Sequence, residues 1–170
     1  MYKNLNWLNE LPTDEAESVF RDCCGSSEWA RRMSAARPFA MLENLFKSAD
    51  EIWFSLSTIE HLEAFASHPK IGSKKAAATQ QAKSAEWSSG EQSGMDEADE
   101  SVRNELAEAN RLYLDKFGFI FIVCATGKSA DEMLAICKAR LGNSAATELH
   151  IAAEEQRKIT EIRLNKLFEK

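Results

Sequence analysis

Three short stretches of this chain concentrate side chains able to do chemistry. The first, FASHPKIG from Phe65 to Gly72, sets His68 beside a proline where an amphipathic pattern stops. Proline fixes its own backbone, so the pair would hold an imidazole at a defined angle on the rim of a cleft, and imidazole exchanges protons near neutral pH. A packed or solvated histidine is the other reading, and His61 and His150, each inside a helical pattern, take that default. The second stretch, WSSGEQSG from Trp87 to Gly94, brackets Ser88, Glu91 and Gln92 with small residues. It reads either as a polar loop facing a substrate or as a linker, since Ser-x-x-Glu also spells a helix capping box. The third, KITEIRLNKLF, puts Arg163 beside an apolar stripe. Its guanidinium either offers paired donors to a carboxylate or oxyanion, or snorkels outwards over the core.

The elements that must position these residues read as helices almost throughout. Thr13 caps a helix with Asp14 and Glu15 in its first turn and Ala16, Val19, Phe20, Cys23 and Cys24 at helical spacing, and Gly25 ends it. A helix around Trp29 and Met33 stops near Arg37, because the residue before Pro38 is pushed out of the α region. Another runs from Phe39 with Leu42, Leu45 and Phe46 as its stripe. Ser57 and Glu60 form a capping box ahead of Ile59, Leu62, Phe65 and Ala66, and that helix leads into His68. Between Gly72 and Met95 small and polar residues predict a weak helix and then a loop. A longer helix from Asp96 to Phe117 should end at Gly118 in the left-handed conformation.

The apolar run Phe117–Ala125 looks like a strand by composition, but no second segment of β character exists to pair with it. It is expected to be a buried extended segment or a helix start. Ser129 and Glu132 form a second capping box, opening a helix that Gly142 closes. Asn143 or Ser144 then begins a last helix through Ile151, Ile159, Ile162 and Leu167. The fold class is therefore all-α: one compact domain over residues 1–170, a bundle of about seven to nine helices with a buried extended segment near Phe119–Ala125.

Composition narrows the function classes. With 170 residues, 44% of them hydrophobic, the chain can build a sizeable core. A net charge of −6, with basic residues interspersed among acidic ones, argues against nucleic acid as a partner. Neither a signal-peptide core nor an apolar stretch of membrane-spanning length is visible, so a cytoplasmic protein without a membrane partner is expected. The four cysteines, Cys23, Cys24, Cys124 and Cys137, lack zinc-ligand spacing and read as buried thiols.

Taken together, HPKIG, WSSGEQSG, FGFIFIVCATGKSADEML and AAEEQRKITEIRLNKL resemble the motifs of the 2-oxo-4-hydroxy-4-carboxy-5-ureidoimidazoline (OHCU) decarboxylase family, and FRDCCG and RPF extend the likeness over essentially the whole chain. The resemblance implies an all-helical, usually dimeric enzyme acting last in the conversion of urate to (S)-allantoin, with no metal or organic cofactor. It implies His68 as the catalytic proton donor and Pro69 as a neighbour of the substrate. Ser88, Ser89, Gly90, Glu91 and Gln92 supply polar contacts, with Glu91 the essential carboxylate and Gln92 an amide for the ureide edge. Phe121, Ile122, Val123, Cys124 and Ala125 lie against the ring, and Arg163 completes the set. Peroxisomal members carry a C-terminal import tripeptide, and the ending Phe168-Glu169-Lys170 departs from it, consistent with a cytoplasmic, bacterial-type enzyme. No role falls on Lys74 or Lys75.

The residue types suit that chemistry. The substrate's own C=N bond accepts the electrons left by carbon dioxide, so the protein need only position and protonate. A carboxylate near the imidazole favours its charged form, and backbone N–H groups of an extended run add neutral donors. Two other classes compete. An acidic helical domain rich in Trp and Met can be an interaction module whose groove takes a partner helix. A hydrolase or isomerase acting on a cyclic ureide would use Cys124 as nucleophile, against the alternative of a packed thiol.

Overall fold

The computed structural model describes residues 4–73 and 81–169, so Lys74 and Lys75 and part of the weak helix expected after Gly72 lie outside the described residues. Among the described residues there are nine α-helices, one short 3-10 turn and no strand, which is the expected all-α class. The chain forms two compact units, residues 1–64 with 157–170 and residues 65–156. Among the described residues no helix is long and apolar enough to cross a membrane.

The first unit opens with α1 (Leu5–Glu10), α2 (Thr13–Cys23), α3 (Ser27–Ala35) and α4 (Leu42–Phe54). Thr13 is the first helical residue of α2 rather than its cap; Pro12 stands at the cap position and its fixed φ of −51° feeds the chain into the helix. The helix expected from Phe39 starts only at Leu42. The reason is a remote one: the Asn9 amide accepts from Phe39 N at 2.9 Å and donates to Phe39 O at 2.9 Å, which holds that residue out of helical hydrogen bonding. Phe20 meets Trp29 edge-on at 5.8 Å and Phe39 at 6.5 Å, and the buried Trp29 indole donates to Ala49 O at 3.0 Å.

The capping box at the start of α5 (Thr58–Ala66) forms as expected, with Ser57 N donating to Glu60 Oε2 at 2.7 Å. Ile59, expected in its core stripe, is 79% exposed. His61 stands 2.9 Å from Trp53 O with its ring centroid 4.2 Å from the Trp53 ring, and His150 is exposed. Both therefore keep the structural or solvated roles expected of them.

In the second unit, α6 (Ala82–Glu91) is followed by the 3-10 turn Ser93–Met95, α7 (Glu100–Phe117) and α8 (Ala130–Arg140). The helix expected from Asp96 begins four residues later, at Glu100, and ends at Gly118 with φ of 78°, the left-handed conformation that glycine adopts without steric cost. Ser129 and Glu132 make the second capping box, with Ser129 N donating to Glu132 Oε2 at 2.7 Å and Glu132 N to Ser129 Oγ at 3.2 Å. α9 (Ala145–Lys166) opens where Ser144 Oγ accepts from Thr147 N at 3.2 Å. The boundary between the two units falls inside α5 and inside α9. Leu106, Tyr113, Phe121, Val123, Met133 and Cys137 belong to one apolar cluster that backs the second unit.

Candidate active site

His68 follows the last turn of α5, where its backbone N–H closes on Phe65 O at 3.1 Å, and its imidazole is half-buried. Nε2 lies 2.6 Å from Oε1 of Gln156, a side chain with no exposed surface. The chain after it is pinned by two side-chain amides: Gly72 N donates to Gln92 Oε1 at 2.9 Å, and Asn110 Nδ2 donates to Ile71 O at 3.2 Å. His68 and Pro69 thus leave the helix on a segment whose backbone is satisfied by amide side chains from elsewhere in the same unit.

The WSSGEQSG stretch is not a loop over most of its length. Trp87 to Glu91 form the end of α6, and Gln92 stands at its C-cap. Ser88 and Glu91 are therefore in one closing turn rather than at the start of a new helix, so the capping-box reading fails. Gly90 is not required sterically, since a side chain there would meet nothing within 4 Å, and it carries the ordinary helix penalty of about 1 kcal/mol for glycine. Ser88 is buried, Glu91 and Gln92 are half-buried, and Ser89 and Gly90 are exposed. Gly94 is required by close approach: a Cβ there would sit 2.0 Å from Lys128 O. This contact ties the end of the α6 segment to the turn that follows the apolar run.

That run takes the first of the two forms expected for it. Residues 120–125 are neither helix nor strand, and Phe121 to Ala125 are all buried. Side chains do part of the work of a partner strand. Arg140 NH1 donates to Ile122 O at 2.6 Å, Cys124 N donates to Glu155 Oε2 at 2.7 Å, and Lys128 Nζ donates to Cys124 O at 2.8 Å. The Cys124 N–H, one of the donors expected to face a substrate, is thereby engaged by Glu155. Arg140 is itself buried against Glu148 in an ion pair, with Tyr113 Oη and Asn143 Nδ2 also donating to that carboxylate. Burial above all pushes the Cys124 thiol up, with Lys128 opposing and the carboxylates of Glu155 and Glu91 adding to the rise. A neutral thiol is a poor nucleophile, which weighs against covalent catalysis at Cys124.

Arg163 belongs to the first unit. It is 1% exposed and donates from NH1 to Asp22 O at 3.4 Å, so its guanidinium does not snorkel to solvent. Gln156 and Glu155 were not singled out from the sequence. A signal was present: Ala152, Gln156, Thr160 and Arg163 recur at helical spacing along α9, and all four are buried. A polar residue in register with a core stripe is the pattern that would have found Gln156. Among the described residues no group of three or more His, Cys, Asp or Glu side chains gathers as a metal site.

The fold and these contacts define an all-helical protein with a half-buried histidine bonded to a buried glutamine and, in the same unit, an irregular buried backbone segment. The family model for OHCU decarboxylase matches residues 9–165, across both units. The chain is 42% identical over 153 residues to the uric acid degradation bifunctional protein TTL of Arabidopsis thaliana, an alignment covering 89% of this chain and 47% of that protein. It therefore spans about half the length of that relative. It is 27% identical to a 2-oxo-4-hydroxy-4-carboxy-5-ureidoimidazoline decarboxylase of Haloferax volcanii over 96% of this chain and 95% of the other. A crystal structure of OHCU decarboxylase in the presence of (S)-allantoin superimposes with a TM-score of 0.75 at 42% identity, covering 88% of this chain and 96% of that one. The chain belongs to the OHCU decarboxylase family.

Proposed function

We propose that this protein decarboxylates OHCU to (S)-allantoin and carbon dioxide, the last step from urate to allantoin, as a carboxy-lyase that needs no cofactor. The observation that carries the reading is the likeness to the OHCU decarboxylase crystallised with (S)-allantoin, which extends over 96% of that chain at 42% identity. In the reaction the bond from the ring carbon to its carboxylate breaks and carbon dioxide leaves. The electron pair moves into the adjacent C=N bond, whose nitrogen takes up a proton. The substrate hydroxyl then loses its proton to become a carbonyl while the neighbouring carbon gains one from a single face, so one proton is consumed overall.

His68 is the proposed donor, beside Pro69, and Glu91 orients the hydroxyl as it becomes a carbonyl. Gln92, Ser88 and the backbone at Ser89 and Gly90 face the ureide edge, and Phe121 to Ala125 face the ring. Arg163 takes the carboxylate through paired donors; its burial, which keeps the guanidinium from snorkelling to solvent, supports that role. A homodimer is part of the same proposal, and sedimentation at micromolar concentration reads it. The deciding assay generates OHCU freshly from urate with the upstream enzymes and follows optically active allantoin by circular dichroism. Acceleration by the wild type, lost in His68→Asn with helicity retained, is expected; no acceleration at micromolar protein removes the assignment.

A further inference from the structure

We infer that Glu155 and Lys128 are positioning residues that hold the backbone N–H and C=O of Cys124 and so set where the ring-facing segment 121–125 lies. The inference rests on the proposed place of that segment against the substrate ring. Cys124 N donates to Glu155 Oε2 at 2.7 Å, and Lys128 Nζ donates to Cys124 O at 2.8 Å. A carboxylate thus takes the donor and an ammonium the acceptor of the same residue, the sign of charge that strengthens each bond. Two residues earlier Ile122 O accepts from Arg140 NH1 at 2.6 Å, and two residues is the repeat at which an extended chain returns its peptide groups to one edge. Three charged side chains therefore bond groups that a neighbouring strand would bond, and among the described residues there is no strand.

Both residues also tie the segment to other parts of the proposed site. Glu155 precedes Gln156 in α9, and Gln156 Oε1 stands 2.6 Å from His68 Nε2. Consecutive helical residues project about 100° apart, so one turn reaches the histidine and the segment together. Lys128 O lies where a Cβ on Gly94 would come within 2.0 Å, so the turn after the segment is packed against the end of WSSGEQSG. Glu155 and Lys128 thereby register residues 121–125 against the stretches that hold His68 and Glu91, through the Cys124 backbone and with no part for its thiol.

The test uses the full-length protein labelled with nitrogen-15 cysteine, the Cys124 amide signal being identified by its loss in Cys124→Ser. In Glu155→Leu, which removes the acceptor at similar size, the Cys124 amide proton should move upfield. In Glu155→Gln, which keeps an acceptor oxygen, it should stay close to its wild-type position. Catalytic efficiency toward freshly generated OHCU should fall about tenfold to a hundredfold in Glu155→Leu, chiefly as a rise in KM, because the segment lies against the ring before and during reaction. Glu155→Gln should recover most of that loss. A merely structural role would lower the urea midpoint of Glu155→Leu and leave the KM of the folded protein unchanged, and that result overturns the inference. So does an unshifted Cys124 amide in folded Glu155→Leu, or a Glu155→Gln variant as impaired as Glu155→Leu, since the charge and not the hydrogen bond would then be at work. If Glu155→Leu does not fold, Lys128→Met decides: it keeps the aliphatic stem but loses the donor to Cys124 O, and it should raise KM about fivefold. An unchanged KM in that variant overturns the inference. Absence of OHCU turnover in the wild type would instead sink the functional proposal, and the Cys124 amide reads the two bonds independently of it.

Discussion

Arg163 shows how a single residue's environment changes what a substitution tests. A guanidinium that is 1% exposed is held by packing and by acceptors such as Asp22 O, so a lysine there keeps charge but loses the planar fork. Losing one charge-assisted contact of about 1.5–3 kcal/mol lowers catalytic efficiency on the order of ten- to a hundredfold. Steady-state kinetics of Arg163→Lys should show that drop with the helical circular dichroism retained, and full activity would remove Arg163 from the substrate. Glu91→Gln makes a matching case at the other end of the proposed set. Glu91 ends α6, and its amide keeps size and hydrogen bonding while losing the charge, so the melting temperature should stay nearly unchanged while turnover is suppressed. A variant that unfolds instead would assign the carboxylate to stability.

At the scale of elements, the irregular segment 120–125 depends on charged side chains that helices present to it. Arg140 at the end of α8 bonds Ile122 O and is neutralised by Glu148 in the first turn of α9. A buried pair of this kind contributes little net stability over an apolar replacement, yet breaking it leaves one charge uncompensated, at a cost of about 3–5 kcal/mol. Arg140→Met should therefore lower the urea midpoint strongly and also free the Ile122 carbonyl. Adding Glu148→Leu to it should recover part of the loss, because the stranded carboxylate is gone. A double variant no more stable than Arg140→Met would show that the pair acts chiefly by fixing the segment.

For the whole molecule, the described thiols make stability depend on alkaline pH. None of the four cysteines forms a disulfide, and all four are buried. Burial pushes Cys24 in the first unit up to about 11, and Cys137 in the second likewise to about 11, against the ordinary value of 9.0. Because the folded pKa is the higher one, the folded state holds these protons after the unfolded chain would release them. The contribution is fully present below the unfolded thiol pKa and is lost as pH rises through about 11. A shift of that size corresponds to roughly 3 kcal/mol for the fully enclosed Cys24 thiol and to less for Cys137. Urea unfolding should show stability level between neutrality and pH about 8.5 and falling beyond it. Cys24→Ala and Cys137→Ala should each flatten the fall, and an unchanged slope in both would assign it to other groups.

Local physics written in the sequence determined the helical class, the two capping boxes at Ser57–Glu60 and Ser129–Glu132, the left-handed stop at Gly118 and the burial of the thiols and of residues 121–125. Each of these follows from a few adjacent residues: a hydroxyl and a carboxylate three apart, a missing Cβ, or a run of apolar side chains. The resemblance of four stretches to one family carried the candidate site with it, since those stretches hold most of its residues. What only the tertiary structure decided are the places where distant side chains override local preference. Asn9 keeps Phe39 out of α4, and of the apolar stripe expected along α9 Ile159 and Leu167 are buried while Ile151 and Ile162 are only half-buried, the buried face also bearing Glu148, Gln156, Thr160 and Arg163. Helical register can place a polar residue on a buried face, but it cannot name the partner that makes its burial tolerable, because the fold brings that partner. For Gln156 that partner is His68, 88 residues earlier in the chain, and no local pattern could have joined them.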